Sequence, residues 1–389
     1  MMRGSILLTA LAAWISTGLA ASAAETVKVG LIVTLSGPPA VLGGQVRDGF
    51  RLAVKNLGGK LGGVPAEVIV VDDELKPDVA VTKVKGLLER DHVNFVVGPV
   101  FSNVLMAIHR PVISSNAFLI SPNAGTSNFA GKQCNPNFFV TSYQNDQIHE
   151  VLGKYAQDQG YKSAFLMAPN YQAGKDALSG FKRDFKGEIV DEVYTPLGQL
   201  DFSAELAKLA ADKPQAFFTF MPGGMGVNLV KQYRQAGLAS IPFLSAFTAD
   251  ESTLPAEKDD ALGFLGGANW APDLDNPQSK AFVKEYEAAY HSVPGTYAMQ
   301  GYDTAMLIDS AVRGAGGKLS DHDALRANLK KANFVSLRGK FKFGVNNYPI
   351  QDFYLVKAAK RADGKYETEI VKKVFTDYVD RYAAECPMK

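Results

Sequence analysis

The chain has 389 residues, with 41 lysines and arginines against 40 aspartates and glutamates, five histidines and two cysteines. A net charge of +1 lacks the basic excess that supplies most of a nucleic-acid binder's affinity, and 47 % hydrophobic residues is too many for a disordered tail protein. Two cysteines and scattered histidines leave little for a zinc module, while the length suits two domains that each bury a core.

Residues 1–24 read as a secretory signal peptide. Arg3 is their only charge, Ile6 to Ala20 are mostly apolar, and Ala21-Ser22-Ala23-Ala24 offers small residues for cleavage. The apolar run is short for a membrane span, and no later stretch approaches the roughly 20 apolar residues that a span needs. Without this segment, which holds Arg3 and Trp14, the chain carries 40 basic and 40 acidic residues and a single tryptophan, Trp270. An exported chain meets an oxidising compartment, where Cys134 and Cys386 can form one disulfide; two unpaired thiols are the other reading.

Beyond the leader, strand and helix alternate. Apolar runs at Val27–Val33, Val68–Val71, Val93–Val97, Phe118–Ile120, Ala164–Met167, Ile189–Val193 and Ala216–Phe220 predict buried parallel strands. Amphipathic stretches predict helices over Gly43–Leu57, Pro77–Arg90, Asp146–Gln159, Gln172–Phe185, Phe202–Ala211 and Gly226–Ala236. Two such series occupy residues 25–140 and about 160–268. After Trp270-Ala271-Pro272 the pattern predicts helices over Ser279–His291, Tyr297–Arg313 and Asp321–Lys331, then a tail strand at Phe353–Lys357. This repetition predicts an α/β protein of doubly wound parallel sheets with helices on both faces. No long flexible linker separates the halves, so they are expected to share crossings at a hinge.

Signatures of catalysis are missing. The sequence has no P-loop, no G-x-S-x-G elbow and no G-x-G-x-x-G after its first strand. His149-Glu150 begins like H-E-x-x-H, but Gly153 stands where the second histidine is needed. His92, His109, His291 and His322 lack partners at a useful spacing and read as surface residues. No catalytic group, metal or cofactor is expected.

In doubly wound sheets, ligands sit beyond the carboxyl ends of the strands. The first strand exits into Ser36–Gly44, where glycines permit close backbone approach and a helix start favours an anion. Leu42 lies in this turn. Val93–Val97 exits toward Ser102, which either caps a helix or donates to a ligand carboxylate. Phe118–Ile120 exits into Ser121-Pro122-Asn123-Ala124-Gly125-Thr126-Ser127, a turn dense in small donors that could cradle a carboxylate. The exits of the second series carry Tyr171, Met221, Pro222 and Phe247, with no acid before Asp250, a lining suited to an aromatic ligand face.

Together, LSGPPAVLGGQVRDGFRLAV (35–54), VVGPVFSNV (96–104), LISPNAGTSNF (119–129), DFSAELAKL (201–209), KQYRQAGL (231–238) and FVKEYEAAYHSVPGTYAMQGYDTAMLI (282–308) give the chain a family likeness. It resembles the substrate-binding proteins of ABC importers of the branched-chain amino acid type, the leucine/isoleucine/valine-binding family. The resemblance implies a type I periplasmic binding protein, a Venus flytrap of two doubly wound lobes joined by a three-crossover hinge. Lobe 1 would take residues 25–142 plus 272–348 and lobe 2 residues 143–271 plus 349–389. It also implies a monomer in the periplasm that hands a small molecule to an ABC permease and ATPase complex at the inner membrane, with no role for nucleic acid.

The same resemblance assigns residues. The family's carboxylate-binding serine falls at Ser102, and its S-P-x-A-T segment at Ser121–Gly125, with Thr126 one place later, so Gly125 and Thr126 both stand as donors beside Asn123 and Ala124. Its second-lobe tyrosine matches Tyr171. Its acid for the ligand ammonium aligns near Phe247. An ammonium buried without a counter-charge is costly, so an aromatic carboxylate of the benzoate, hydroxybenzoate or cinnamate kind is favoured over leucine. The alternative is an aliphatic amino acid whose ammonium meets Asp250 or Asp303. Tyr143 and Trp270, with Tyr297 and Tyr302, complete the expected lining, and Trp270 fluorescence is expected to respond to ligand. A distant alternative is a secreted α/β enzyme using His149.

Overall fold

The computed structural model describes residues 25–388, so the leader read from residues 1–24 lies outside the described residues. The first lobe is built from β1 (Val27–Val33), α1 (Ala40–Asn56), β2 (Lys60–Leu61), β3 (Val64–Asp72), α2 (Pro77–Glu89), β4 (Phe95–Val97), α3 (Ser102–Ser114), β5 (Phe118–Ser121), α4 (Ser127–Ala130) and β6 (Phe138–Val140). Its sheet runs β2-β3-β1-β4-β5-β6, parallel except at the short β2 edge. The chain then forms α5 (Asn145–Asp158), β7 (Ser163–Pro169), α6 (Gln172–Asp184), β8 (Glu188–Thr195), α7 (Ser203–Asp212), β9 (Ala216–Thr219), α8 (Gly224–Gln235), β10 (Phe243–Ser245), α9 (Leu254–Glu257) and β11 (Leu265–Ala268). It returns to the first lobe with α10 (Pro277–Tyr290), α11 (Thr296–Gly314), α12 (His322–Lys331) and β12 (Lys342–Phe343), and ends in β13 (Pro349–Lys360) and β14 (Tyr366–Tyr378). The second sheet runs β12-β13-β11-β10-β9-β7-β8, with β14 paired to β13.

Burial explains the pattern. β1 and β4 through β6 are almost wholly buried, as expected of parallel strands covered on both faces. α1 packs along α11 on one face of the first sheet, while α2 packs on α3. In the second lobe α5 and α6 pair on one side; on the other, Phe217, Tyr233, Phe243 and Phe264 build a core with Phe243 stacked on Phe264 at 4.2 Å.

Three elements depart from the sequence reading. α3 is a full helix despite Pro111, because Val104, Leu105, Ile108 and Val112 give it one buried face. β13 extends to twelve residues and pairs with the thirteen of β14, so the tail is a long hairpin and not one short strand. β14 is rich in Lys, Glu and Thr because it is half exposed, which hides it from a search for apolar runs. His109 is not a surface residue: it stacks on Phe129 at 3.8 Å, and burial pushes its imidazole down to about 4. Cys134 and Cys386 are bonded to each other, fastening the tail to the loop before β6.

The chain crosses between lobes after β6, after β11 and before β13, and one buried network joins all three crossings. The Ser142 carbonyl, on the first crossing, accepts from Asn269 Nδ2 on the second (3.2 Å) and from Arg338 Nη1 (3.1 Å) and Gln351 Nε2 (2.5 Å) around the third. Arg338 also pairs with Asp303 at 3.1 Å, and Asp303 accepts from Ser336 Oγ at 2.6 Å and from the Leu337 N–H at 3.0 Å. Burial pushes Asp303 up and Arg338 down from their ordinary values despite their mutual attraction. The pair is therefore a fixture whose breakage costs more than its formation contributes. Arg338→Met should lower stability by about 3–5 kcal/mol by stranding the Asp303 carboxylate, and Arg338→Met with Asp303→Asn should recover most of that. The midpoints of urea unfolding for the two variants test this.

A second buried acid ties the tail hairpin to the lobe. Glu251 accepts from the Thr368 N–H and Oγ1, both at 2.7 Å. Burial first, and the neighbouring Asp250 second, push Glu251 from 4.5 up to about 8. The folded state thus holds a proton that the unfolded chain releases above pH 4.5, so this contribution to stability is full below 4.5 and is lost as pH rises toward 8. The melting temperature should fall between pH 5.5 and 8.5, and Glu251→Gln, which keeps the acceptor, should flatten that fall. An equal slope in the variant would exclude Glu251 as its source.

Candidate functional site

Between the two sheets lies a narrow cleft whose facing walls nearly meet, leaving about 20 Å³ of open space. Its first-lobe wall is Leu42, Val100, Phe101, Ser102, Asn123, Ala124 and Tyr297. The opposite wall is Asn145, His149, Tyr171, Ala173, Phe220, Pro222 and Phe247, and Tyr143 comes from the first crossing. The first turns of α1, α3, α5, α6 and α11 all reach this wall; the first four follow a strand's carboxyl end or a crossing, and α11 follows α10. No lysine, arginine, aspartate or glutamate lines it. Helix N-termini each carry partial positive charge and unpaired N–H groups, so the cavity favours an anion without offering a cation.

Close backbone packing brings these helix starts together. At Gly43 a Cβ would lie 1.9 Å from the Thr34 carbonyl, so glycine alone lets α1 rise this near β1. At Gly125 a Cβ would lie 1.9 Å from the Tyr143 carbonyl, so only glycine lets these two backbone segments meet. The Gly125 N–H is already donated to Asn145 Oδ1 at 2.9 Å. Asn145 Nδ2 donates to Ser102 Oγ at 3.2 Å and to Asp176 Oδ2 at 2.9 Å. Ser102 therefore accepts from Asn145, and its own hydroxyl proton is not committed to that bond.

The rest of the wall is aromatic. Phe247 stacks on Tyr143 at 5.7 Å, meets Tyr297 at 5.4 Å and meets Phe220 edge-on at 6.4 Å. Tyr171 stacks on Phe220 at 6.3 Å and packs on Phe101 at 6.2 Å. Phe247 has φ +61°, a left-handed conformation that a bulky residue adopts only when its surroundings impose it. Burial raises the Tyr143, Tyr171 and Tyr297 hydroxyls above their ordinary range, so all three stay neutral. Asn123 Nδ2 bridges Tyr143 Oη (3.2 Å) and Gln300 Oε1 (2.9 Å).

Leu42, Ser102, Asn123, Ala124, Tyr143, Tyr171, Pro222 and Phe247 thus lie on the wall, together with Tyr297. Five other candidates do not. Gly125 is behind it, committed to Asn145, and Thr126 is fully buried with Oγ1 unpartnered and its carbonyl taken by Tyr348 Oη at 2.9 Å. Met221 points into the second-lobe core, and its N–H donates to Thr248 Oγ1 at 2.8 Å. Trp270 packs on Phe282 with Nε1 donating to Ser279 Oγ at 2.9 Å, so it is no wall residue and no direct reporter of ligand. Tyr302 packs against the same Phe282 at 5.1 Å. Asp303 is held by Arg338, and Asp250 is also off the wall. Asn145 and His149 went unmarked as wall residues; the signal for both was the helix start two residues past Tyr143, with His149 one turn further along the same face.

The lobes meet around this cavity. Asp176 on α6 accepts from Ser127 Oγ at 2.7 Å and from the Ser127 N–H at 3.2 Å, across the gap from α4. Gln172 Nε2 donates to the same carboxylate at 2.8 Å, and the Gly224 N–H donates to the Pro38 carbonyl at 3.3 Å. Among the described residues no cluster of His, Cys, Asp or Glu is placed to hold a metal, and no helix is long and apolar enough to cross a membrane.

A family model for periplasmic binding proteins matches residues 26–365. The Leu/Ile/Val-binding protein homolog 6 of Brucella melitensis is 30 % identical over 375 residues, 93 % of this chain and 94 % of that protein. The solute-binding protein of an ABC transporter from R. palustris, solved in complex with benzoate, is 33 % identical with a TM-score of 0.89, covering 94 % of this chain and 100 % of that one. Another, from Rhodopseudomonas palustris BisB5 in complex with 3,4-dihydroxybenzoic acid, is 30 % identical with a TM-score of 0.86, covering 92 % and 99 %. Two lobes of wound parallel sheets, a cavity between them and these likenesses agree: the chain belongs to the periplasmic binding protein family, as a type I solute-binding protein related to the Leu/Ile/Val-binding proteins.

Proposed function

We propose that the chain captures a small aromatic carboxylate in the periplasm and delivers it to an ABC permease and ATPase complex at the inner membrane. The lobes that close on it are residues 25–142 plus 272–348 and residues 143–271 plus 349–389. It works as a monomer, exported by its N-terminal segment, and it carries out no chemistry on the solute. The observation that carries this reading is the wall itself: helix starts and Ser102 at one end, rings around the rest, and no charged side chain anywhere. A carboxylate would be stabilised there by dipoles and N–H groups, and a flat ring would pack among Tyr143, Phe247, Tyr171 and Phe220, which must part to admit it because they now stack on one another. An amino acid would bring an ammonium with no wall carboxylate to meet it. The benzoate and dihydroxybenzoate carried by two structural relatives support the same class.

One observation favours an amino acid instead. Asp250 is fully buried near Tyr143 and Tyr297, and its Oδ2 has no hydrogen-bond partner among the described residues. Burial raises its pKa against the hydrogen bonds from Ser252 and Thr253, which weakens it as a counter-charge, and it does not line the wall. Calorimetric titration of the protein, freed of carried-over solute by unfolding and refolding, separates the readings. Benzoate, 4-hydroxybenzoate or cinnamate should bind with micromolar or tighter Kd and leucine should not; tight leucine binding without an aromatic response would sink the proposal. Ser102→Ala should weaken the aromatic acid by roughly 10- to 100-fold, the worth of about 1.5–3 kcal/mol for a hydrogen bond to a charged group.

A further inference from the structure

We propose that His149 reads a hydroxyl on the aromatic ring, so that the preferred solute is a hydroxybenzoate-type acid and plain benzoate is a weaker ligand. The inference rests on the aromatic-carboxylate reading above and deepens it. His149 stands on the cavity wall, is 2 % exposed, and its Nδ1 is buried with no hydrogen-bond partner among the described residues. Its packing is apolar, with Phe218 edge-on at 5.7 Å and Phe220 at 5.1 Å. The other polar amides on the wall are engaged: Asn123 with Tyr143 and Gln300, Asn145 with Ser102, Gly125 and Asp176. Burial pushes the imidazole down to about 3, so it is neutral, with one N–H donor and one acceptor nitrogen. A hydroxyl can satisfy either; a ring hydrogen satisfies neither and leaves the imidazole desolvated and unpaired.

Spacing supports the assignment. His149 follows Asn145 by four residues on α5, a rise of about 6 Å along one helix face. Asn145 holds Ser102, which marks the carboxylate end. The carboxyl carbon and the ring hydroxyl of a hydroxybenzoate are separated by about the same length. One helix face would thus hold both ends of the ligand, the first through Ser102 and the second directly.

Titration of the full-length mature protein with benzoate, 3-hydroxybenzoate and 4-hydroxybenzoate tests this. The wild type should prefer at least one hydroxylated acid over benzoate by tenfold or more, and His149→Phe, which keeps a ring in place, should bring that ratio to within threefold of unity. Should the variant not fold, the ¹⁵N resonances of the His149 ring in the wild type give the second reading: they should move with the hydroxylated acid and not with benzoate. Benzoate binding as tightly as both hydroxylated acids, an unchanged ratio in His149→Phe, or equal ¹⁵N shifts with both ligand types would overturn the role of His149 while leaving the aromatic reading in place. Failure of all three acids to bind the wild type would remove both.

Discussion

The cleft is walled where chains leave their parallel strands and where helices begin, and no charged side chain reaches that wall. The rest of the site is arranged around that constraint. Parallel strands in a wound sheet release their chains at the same edge, so the helices that follow begin at the same edge, and their unpaired N–H groups face one space. Two such edges set face to face surround the cavity with helix starts from both lobes. Each contributes a fraction of a charge, and each acts more strongly in a site from which closure excludes water. A lysine or arginine on the wall would have to be desolvated whenever the lobes close, a cost that fixed dipoles do not carry.

Closure is also polar and buried, and it is built around side chains that touch both lobes. Asn145 links Ser102 and Gly125 of the first lobe to Asp176 of the second, and Asp176 in turn takes two bonds from Ser127. The residue that holds the Ser102 hydroxyl is therefore also a member of the contact between the lobes. A ligand can shift the open–closed equilibrium only through contacts that differ between the two forms, and this shared asparagine stands on the cleft wall itself. The hinge network around the Ser142 carbonyl lies one residue from Tyr143 on the cavity wall, so bending and binding meet on the same short segment.

Much of this was legible before any coordinates. Strand exits can be read because apolar runs end abruptly in Pro, Gly and small polar residues, and those turns supply most of the wall. What fails is the side to which a residue points. Phe220 and Pro222 face the cavity while Met221 between them faces the core, the two-residue alternation of extended chain carried past the end of β9. Thr126 fails similarly, because the Gly125 backbone presses on Tyr143 and sends the next side chain inward. Trp270 is near a crossing in sequence, but its indole turns toward α10, where Ser279 satisfies its N–H. For Asn145 and His149 the helix start and the one-turn spacing are legible, but not that this face meets the cleft. They sit on a helix that is buried nearly all round at its start, where polar residues serve partners that only the three-dimensional meeting of α3, α5 and α6 provides.

The Cys134–Cys386 bond changes the topology of the whole molecule. The tail leaves the second-lobe hairpin and rests on that lobe, where Tyr382 Oη donates to Asp146 at 2.9 Å, and then joins a loop of the first. Counted as covalent paths, the lobes are linked four times and not three: by three backbone crossings and by a staple closing the chain's far end onto its first third. A protease that nicks any single crossing would release neither half. The oxidised molecule is a closed covalent circuit through both lobes, whereas the reduced one is a linear chain with a free end.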